Sequence, residues 1–295
     1  MNFPFVKYYK VHYAIVGLLV LASIFSLFKF GLKPSIDFTG GTIWELRFAS
    51  RPDNSVIQET LNPFNLGETT IQPTGENGVI LRLKSIDEVT HQQILSKLNE
   101  ISQVQETRFE SIGPTIGKEL RQKTIILIVV SLVALLLYIA IAFRKLTWPI
   151  AGWQYGLVSI ITLTIDILVP FLILVLLGKF ENVQFTIPIV AALLTILGYT
   201  MNDKVIVFDR VRENLLKTRV ESFADTINQS LNQIIGRSLS TGTCTLLVLS
   251  TLFIWGGETL KYFALTLIIG IVVGTYTSLF IASALLVTWS KRSKA

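Results

Sequence analysis

The stretch G-Y-T-M-N-D-K-V-I-V-F-D-R-V-R-E, Gly198 to Glu213, decides the fold class, because an apolar run turns to charge before it is long enough to have left a bilayer. A carboxylate such as Asp203 is tolerated inside a membrane helix only when paired, hydrated or protonated, since an isolated charge in hydrocarbon costs several kcal/mol or more. The stretch therefore predicts a membrane-spanning helix with ion chemistry built into it.

Working outward, 51% of the 295 residues are hydrophobic and only 16% charged, outside the range of ordinary water-soluble domains. The apolar residues gather into six blocks of membrane-crossing length, at 12–29, 124–142, 150–177, 186–208, 238–255 and 262–289. The basic residues alternate with these blocks. Lys7 and Lys10, Arg144 and Lys145, Arg210, Arg212, Lys217 and Arg219, and Lys291, Arg292 and Lys294 all fall on one side. On the other side Lys179 is balanced by Glu181 and Lys261 by Glu258. The positive-inside rule then predicts cytoplasmic termini and accounts for the net charge of +6 without nucleic acid. The first block ends at Lys29 without a small-residue cleavage site and reads as an uncleaved anchor. The single cysteine, Cys244, excludes an intrachain disulfide and reads as a small packing residue.

Domain organisation follows as 1–30 for the cytoplasmic N-terminus and first helix, 31–123 for an external domain, and 124–295 for five further helices. In the external part Thr42–Phe48 alternates as a strand, Asp53–Leu61 is helical, and Thr69–Pro73 and Val79–Lys84 are extended. Ser85 and Glu88 predict a capping box for a helix through Glu100, and Val104–Ile112 returns as a strand. The order β-α-β-β-α-β predicts a small ferredoxin-like α+β domain. It carries no His-Cys cluster, phosphate loop or G-x-S-x-G elbow, so binding or movement is expected of it rather than catalysis, with no cofactor or metal.

Four motifs, D-F-T-G-G-T (Asp37–Thr42), G-P-T-I-G-K-E-L (Gly113–Leu120), the opening stretch and R-S-L-S-T-G-T (Arg237–Thr243), together resemble the SecF family of the bacterial SecD/SecF protein-export machinery. The resemblance runs to G-x-x-x-G at Gly270–Gly274. It implies an RND-type six-helix half in the plasma membrane, a SecD-like partner, the SecYEG channel, a translocating unfolded polypeptide, and use of an ion gradient. Half of a small-molecule or lipid exporter and a passive translocon scaffold are the competing classes.

Three residues carry the expected ion coupling. Asp203 lies about four turns into its helix, Arg237 opens the helix returning from the cytoplasm, and Asp166 sits in T-L-T-I-D-I-L-V-P-F before Pro170. Burial favours a protonated carboxyl and a nearby guanidinium an ionised one, so making and breaking an Asp203–Arg237 contact would move a proton. The resemblance implies proton passage for the same two residues. It also marks two departures: Ile165 stands where many members have His, and Lys204 where Thr or Ser is usual. A cation at Lys204 is expected to favour ionised Asp203. Between Val220 and Ile235 an amphipathic helix is predicted on the membrane surface. Asp209, Arg210, Arg212 and Glu213 read as border charges, Gly40, Gly41 and Gly113 as junction glycines, Gly270 and Gly274 as packing positions, and His12 and His91 as lying outside the membrane interior.

Overall fold

The computed structural model describes residues 3–142, 150–217 and 222–292. Arg144, Lys145, Arg219, Lys294 and the start of the amphipathic stretch at Val220 lie outside them. Two compact units emerge: Pro34–Ile126, and the remainder of the chain.

In the first unit the short helix α2 (Ile36–Thr39) leads into β1 (Gly41–Phe48), α3 (Asn54–Leu61), β2 (Thr70–Thr74), β3 (Gly78–Leu83), α4 (Glu88–Ile101) and β4 (Val104–Ile112). The four strands form one antiparallel sheet in the order β2-β3-β1-β4, with Trp44 opposite Leu81 and Phe109. Period-two alternation puts Trp44, Leu46 and Phe48 on one face, where they meet Ile57 and Leu61 of α3 and Ile94 and Leu98 of α4. Removing these side chains from water is the main stabilisation of the unit. The cap of α4 differs from the expected capping box. Asp87, not Ser85, is the cap, and its carboxylate accepts from the Thr90 N–H at 3.1 Å. Both Ser and Asp are good caps, and the helix start at Glu88 selects the residue immediately before it.

The glycine pair of D-F-T-G-G-T answers a close backbone approach. Gly40 and Gly41 have φ of +74° and +133°, and a Cβ on Gly40 would stand 2.8 Å from Cα of Pro114. Pro114 opens α5 (Pro114–Ala142), and one turn on a Cβ at Gly117 would stand 2.8 Å from the Gly40 nitrogen. Gly117 therefore carries the steric demand, whereas Gly113 has open space around it.

The second unit holds α1 (Tyr9–Phe30), the rest of α5, α6 (Gly152–Phe180), α7 (Ile187–Lys217), α8 (Phe223–Trp255), α9 (Gly257–Tyr276), a π-helical turn at Thr277–Ala282 and α10 (Ser283–Arg292). Among the described residues six spans are long and apolar enough to cross a membrane: α1, α5, α6, α7, α8, and α9 through α10. Half or more of the apolar window is buried in α6, α7 and the last span, against 6% in α5. The glycines of α9 set the tightest contact. A Cβ at Gly270 would overlap Ile196 of α7, and one at Gly274 would stand 1.9 Å from Cγ2 of Thr200, so the two glycines receive side chains one turn apart.

Two expectations need correction. The surface helix and the fifth span are one unbroken helix of 33 residues, about 50 Å long, with no junction before Arg237. Its apolar face, Ile227, Leu231 and Ile234, packs into the cluster that holds Val207, Phe208 and Val211 of α7 rather than into a lipid surface. Amphipathicity has the same signature in both settings. Cys244 is exposed on α8, so it is not a packing residue within the chain.

Candidate ion-coupling site

Polar side chains gather in the membrane unit where α6, α7, α9 and the π-helical turn meet. From α6 comes Asp166, fully buried. Thr162, one turn before it, turns its hydroxyl back to the Val158 carbonyl at 2.9 Å. Pro170 lacks an N–H, so the Asp166 carbonyl loses its helical donor on the same turn.

The α7 helix contributes Thr200, Asp203 and Lys204, all buried. Neighbouring residues on a helix point about 100° apart, which sends Asp203 and Lys204 to different partners. Lys204 Nζ donates to Asp166 Oδ2 at 2.5 Å, with neither side chain reaching solvent, and lies 3.4 Å from the Thr200 carbonyl. The Thr277 hydroxyl of the π-helical turn donates to the other oxygen, Asp166 Oδ1. π-Helical turns add a residue to a helical turn and often mark functional positions. Here the turn begins at the residue that touches the carboxylate.

Asp203, 5% exposed, faces α9, whose Thr275 hydroxyl lies 3.4 Å from Oδ2. Lys204, Asp166 and Arg237 act on it through space. Arg237 is exposed on α8, and no ion pair joins it to Asp203. Among the described residues Lys204–Asp166 is the one ion pair with both side chains fully buried. The cluster thus holds two carboxyls and one contacting ammonium. Asp166 is offset within hydrogen-bond distance; Asp203 is not.

The sequence placed Asp166 and Asp203 inside the membrane but treated Lys204 as a neighbour of Asp203. Spacing along α7 was the signal available, because a residue at i+1 points away from i while Thr200 and Lys204, four apart, share a face. Which helix that face meets is tertiary information. Asp209, Arg210, Arg212 and Glu213 pair along their own helix, at 2.8 Å for Arg210–Glu213 and 3.9 Å for Arg212–Asp209, as border charges do. His12 lies in the first turn of α1, with Nδ1 2.7 Å from the Tyr276 hydroxyl, and His91 belongs to the external unit.

A family model described as "Protein export membrane protein SecD/SecF, C-terminal" matches residues 91–292, and the "SecD/SecF GG Motif" matches residues 25–50, around Gly40 and Gly41. The chain belongs to the SecD/SecF family. It is 36% identical to the protein translocase subunit SecF of Thermobaculum terrenum, covering 97% of this chain and 94% of that one. Identity to SecF of Desulfurispirillum indicum is 34%, over 98% and 92%. Among solved structures, that of SecDF from Thermus thermophilus, titled a translocon-associated membrane protein, matches with a TM-score of 0.85 and 32% identity. The match covers 99% of this chain and 39% of that longer one. A super-membrane-facing form of SecDF matches with a TM-score of 0.72.

Proposed function

We propose that this chain is an auxiliary subunit of the Sec protein translocase, using an ion gradient across the bacterial plasma membrane to promote polypeptide export. The observation that carries the reading is Asp203: a carboxyl buried in a family member's membrane span beside a hydroxyl, with no cation in contact among the described residues. Such a group changes charge by taking up or releasing a proton, and a change of charge inside a low-dielectric bundle favours a change of packing around it.

In this reading Asp203, Arg237 and Asp166 form the coupling set. Arg237, on the exposed side of α8, approaches Asp203 in one state and leaves it in another. Asp166 keeps its ammonium partner. The second six-helix half is a SecD-like chain, supported by the exposed apolar side chains of α5 and α8 and by the length of the matched SecDF chain. The SecYEG channel and the translocating unfolded polypeptide are the further partners. Residues 31–123 lie on the periplasmic or extracellular side with both termini cytoplasmic. The sheet order β2-β3-β1-β4 with two helices on one face supports a ferredoxin-like assignment for that domain, which moves against or holds the emerging chain.

The test is export and proton flux per assembled complex in proteoliposomes. Asp203→Asn and Arg237→Met are expected to abolish gradient-stimulated export while the complex assembles. Full coupling in assembled Asp203→Asn would leave a passive scaffold as the better reading.

A further inference from the structure

The Lys204 ammonium stands among oxygens of the kinds that hold a hard cation, one of them in contact. A carboxylate oxygen lies at 2.5 Å and a backbone carbonyl oxygen at 3.4 Å. The Thr277 hydroxyl steadies the carboxylate from behind, and the Thr200 hydroxyl is buried nearby without a hydrogen-bond partner. Hard cations such as sodium are held by sets of this kind, from carboxylate, carbonyl and hydroxyl oxygens. The α9 backbone packs closely here at Gly274, where a Cβ would stand 3.7 Å from Asp166 Oδ2 and overlap Thr200. The charged groups around the space are Asp166 of α6, Asp203 of α7 and, without contact, Arg237 of α8; α9 and the π-helical turn present the neutral Thr275 and Thr277.

We propose that Lys204 is a tethered cation that fills the place a free sodium ion would take, so that sodium is excluded from this half of the bundle and the exchangeable ion is a proton. This rests on Asp203 as the coupling carboxyl. The ammonium cannot leave with the ion flow, since its stem is anchored in α7. It neutralises Asp166 permanently and repels any second cation approaching the same oxygens. What remains exchangeable is the carboxyl without a contacting cation, where a proton needs no ligand cage.

The chain is reconstituted with its SecD-like partner, and proton uptake and radioactive sodium uptake are measured in parallel under equal membrane potentials. Wild-type complex is expected to take up protons but no sodium above the Asp203→Asn background. Lys204→Thr removes the ammonium and leaves a hydroxyl oxygen, so sodium uptake should rise by about tenfold or more, the effect of deleting a like charge a few ångström away. The double variant Lys204→Met with Asp166→Asn has neither cation nor carboxylate. It should take up no sodium. Sodium uptake by wild-type complex at the rate of protons overturns the proposal, and that arm requires no variant. Assembled Lys204→Thr that takes up no sodium overturns it as well. Failure of the coupling reading shows elsewhere, as undiminished proton uptake in Asp203→Asn.

Discussion

The external unit and the membrane unit both bury a nitrogen against a carboxylate, and they do so under different rules. In the external unit His91 Nε2 and Trp44 Nε1 converge on Glu106 Oε2 at 2.6 and 2.7 Å, with the Glu106 side chain still 33% exposed. Water shares the burden there, and the histidine ring stacks on Phe109 as part of an apolar core. In the membrane unit Lys204 and Asp166 are both closed to solvent, and among the described residues each is the other's one ion-pair partner. A half-wet cluster tolerates loss of one member; a dry pair leaves an orphan charge when either is removed. The difference teaches which buried charges hold the molecule together and which are free to change.

The contrast predicts a ranking of variants. Lys204→Met orphans Asp166 and should destabilise the membrane unit by about 3–5 kcal/mol, seen as a lower melting temperature and reduced abundance in detergent. Adding Asp166→Asn should recover most of the loss; an unchanged melting temperature in Lys204→Met would put the pair on a level with the external cluster. Gly274→Ala drives a Cβ into Thr200 and should cost about 3 kcal/mol, the upper end for overpacking. Thr200→Ala in the same chain should relieve part of it, since the residue-200 Cβ still stands 2.8 Å away, which a two-variant melting comparison checks. Glu106→Leu leaves the Trp44 and His91 donors unmatched, at about 2 kcal/mol, and should shift the tryptophan fluorescence of the external unit while leaving ion flux intact.

Asp87 gives the smallest effect. The Thr90 hydroxyl and amide hold its carboxyl below the ordinary aspartate value of 3.8. Because the folded value is depressed, its capping contribution is present above the unfolded value and fades as pH falls through the folded one. Amide exchange in the first turn of α4 should therefore be faster in Asp87→Ala than in wild type near neutral pH. The two should converge in acid. A difference that persists below the folded value would mean that the cap does not act through the carboxylate.

The same two regions show how far a sequence can be read. Period-two alternation marked the strand that puts Trp44, Leu46 and Phe48 on one face, and the helix through Ile94 and Leu98 was read from the Ser85–Glu88 capping signal although Asp87 is the cap. The apolar blocks gave the spans, and G-x-x-x-G gave a close contact whose receivers, Ile196 and Thr200, were beyond reach. Inside the bundle the intramembrane acids were legible as costly residues. Their partners were not, since pairing between α6 and α7 is set by how the helices rotate against each other. Lys204 beside Asp203 in sequence suggested contact, yet one residue of helix turned it onto Asp166. The continuity of α8 and the π-helical turn at Thr277 were hidden for a related reason, because a surface helix and a packed one share a period and one extra residue per turn leaves no composition signal.

Asp203→Asn tests the central claim most directly, since it removes a titratable group that is in no ion pair among the described residues. Its one side-chain hydrogen bond among the described residues, from Thr275, is long at 3.4 Å, so stability should change by less than about 1 kcal/mol. Proton flux and gradient-stimulated export should both fall to background in fully assembled complex. Wild-type flux in that complex would contradict the account, leaving Asp203 a spectator and the bundle a scaffold built on Lys204 and Asp166.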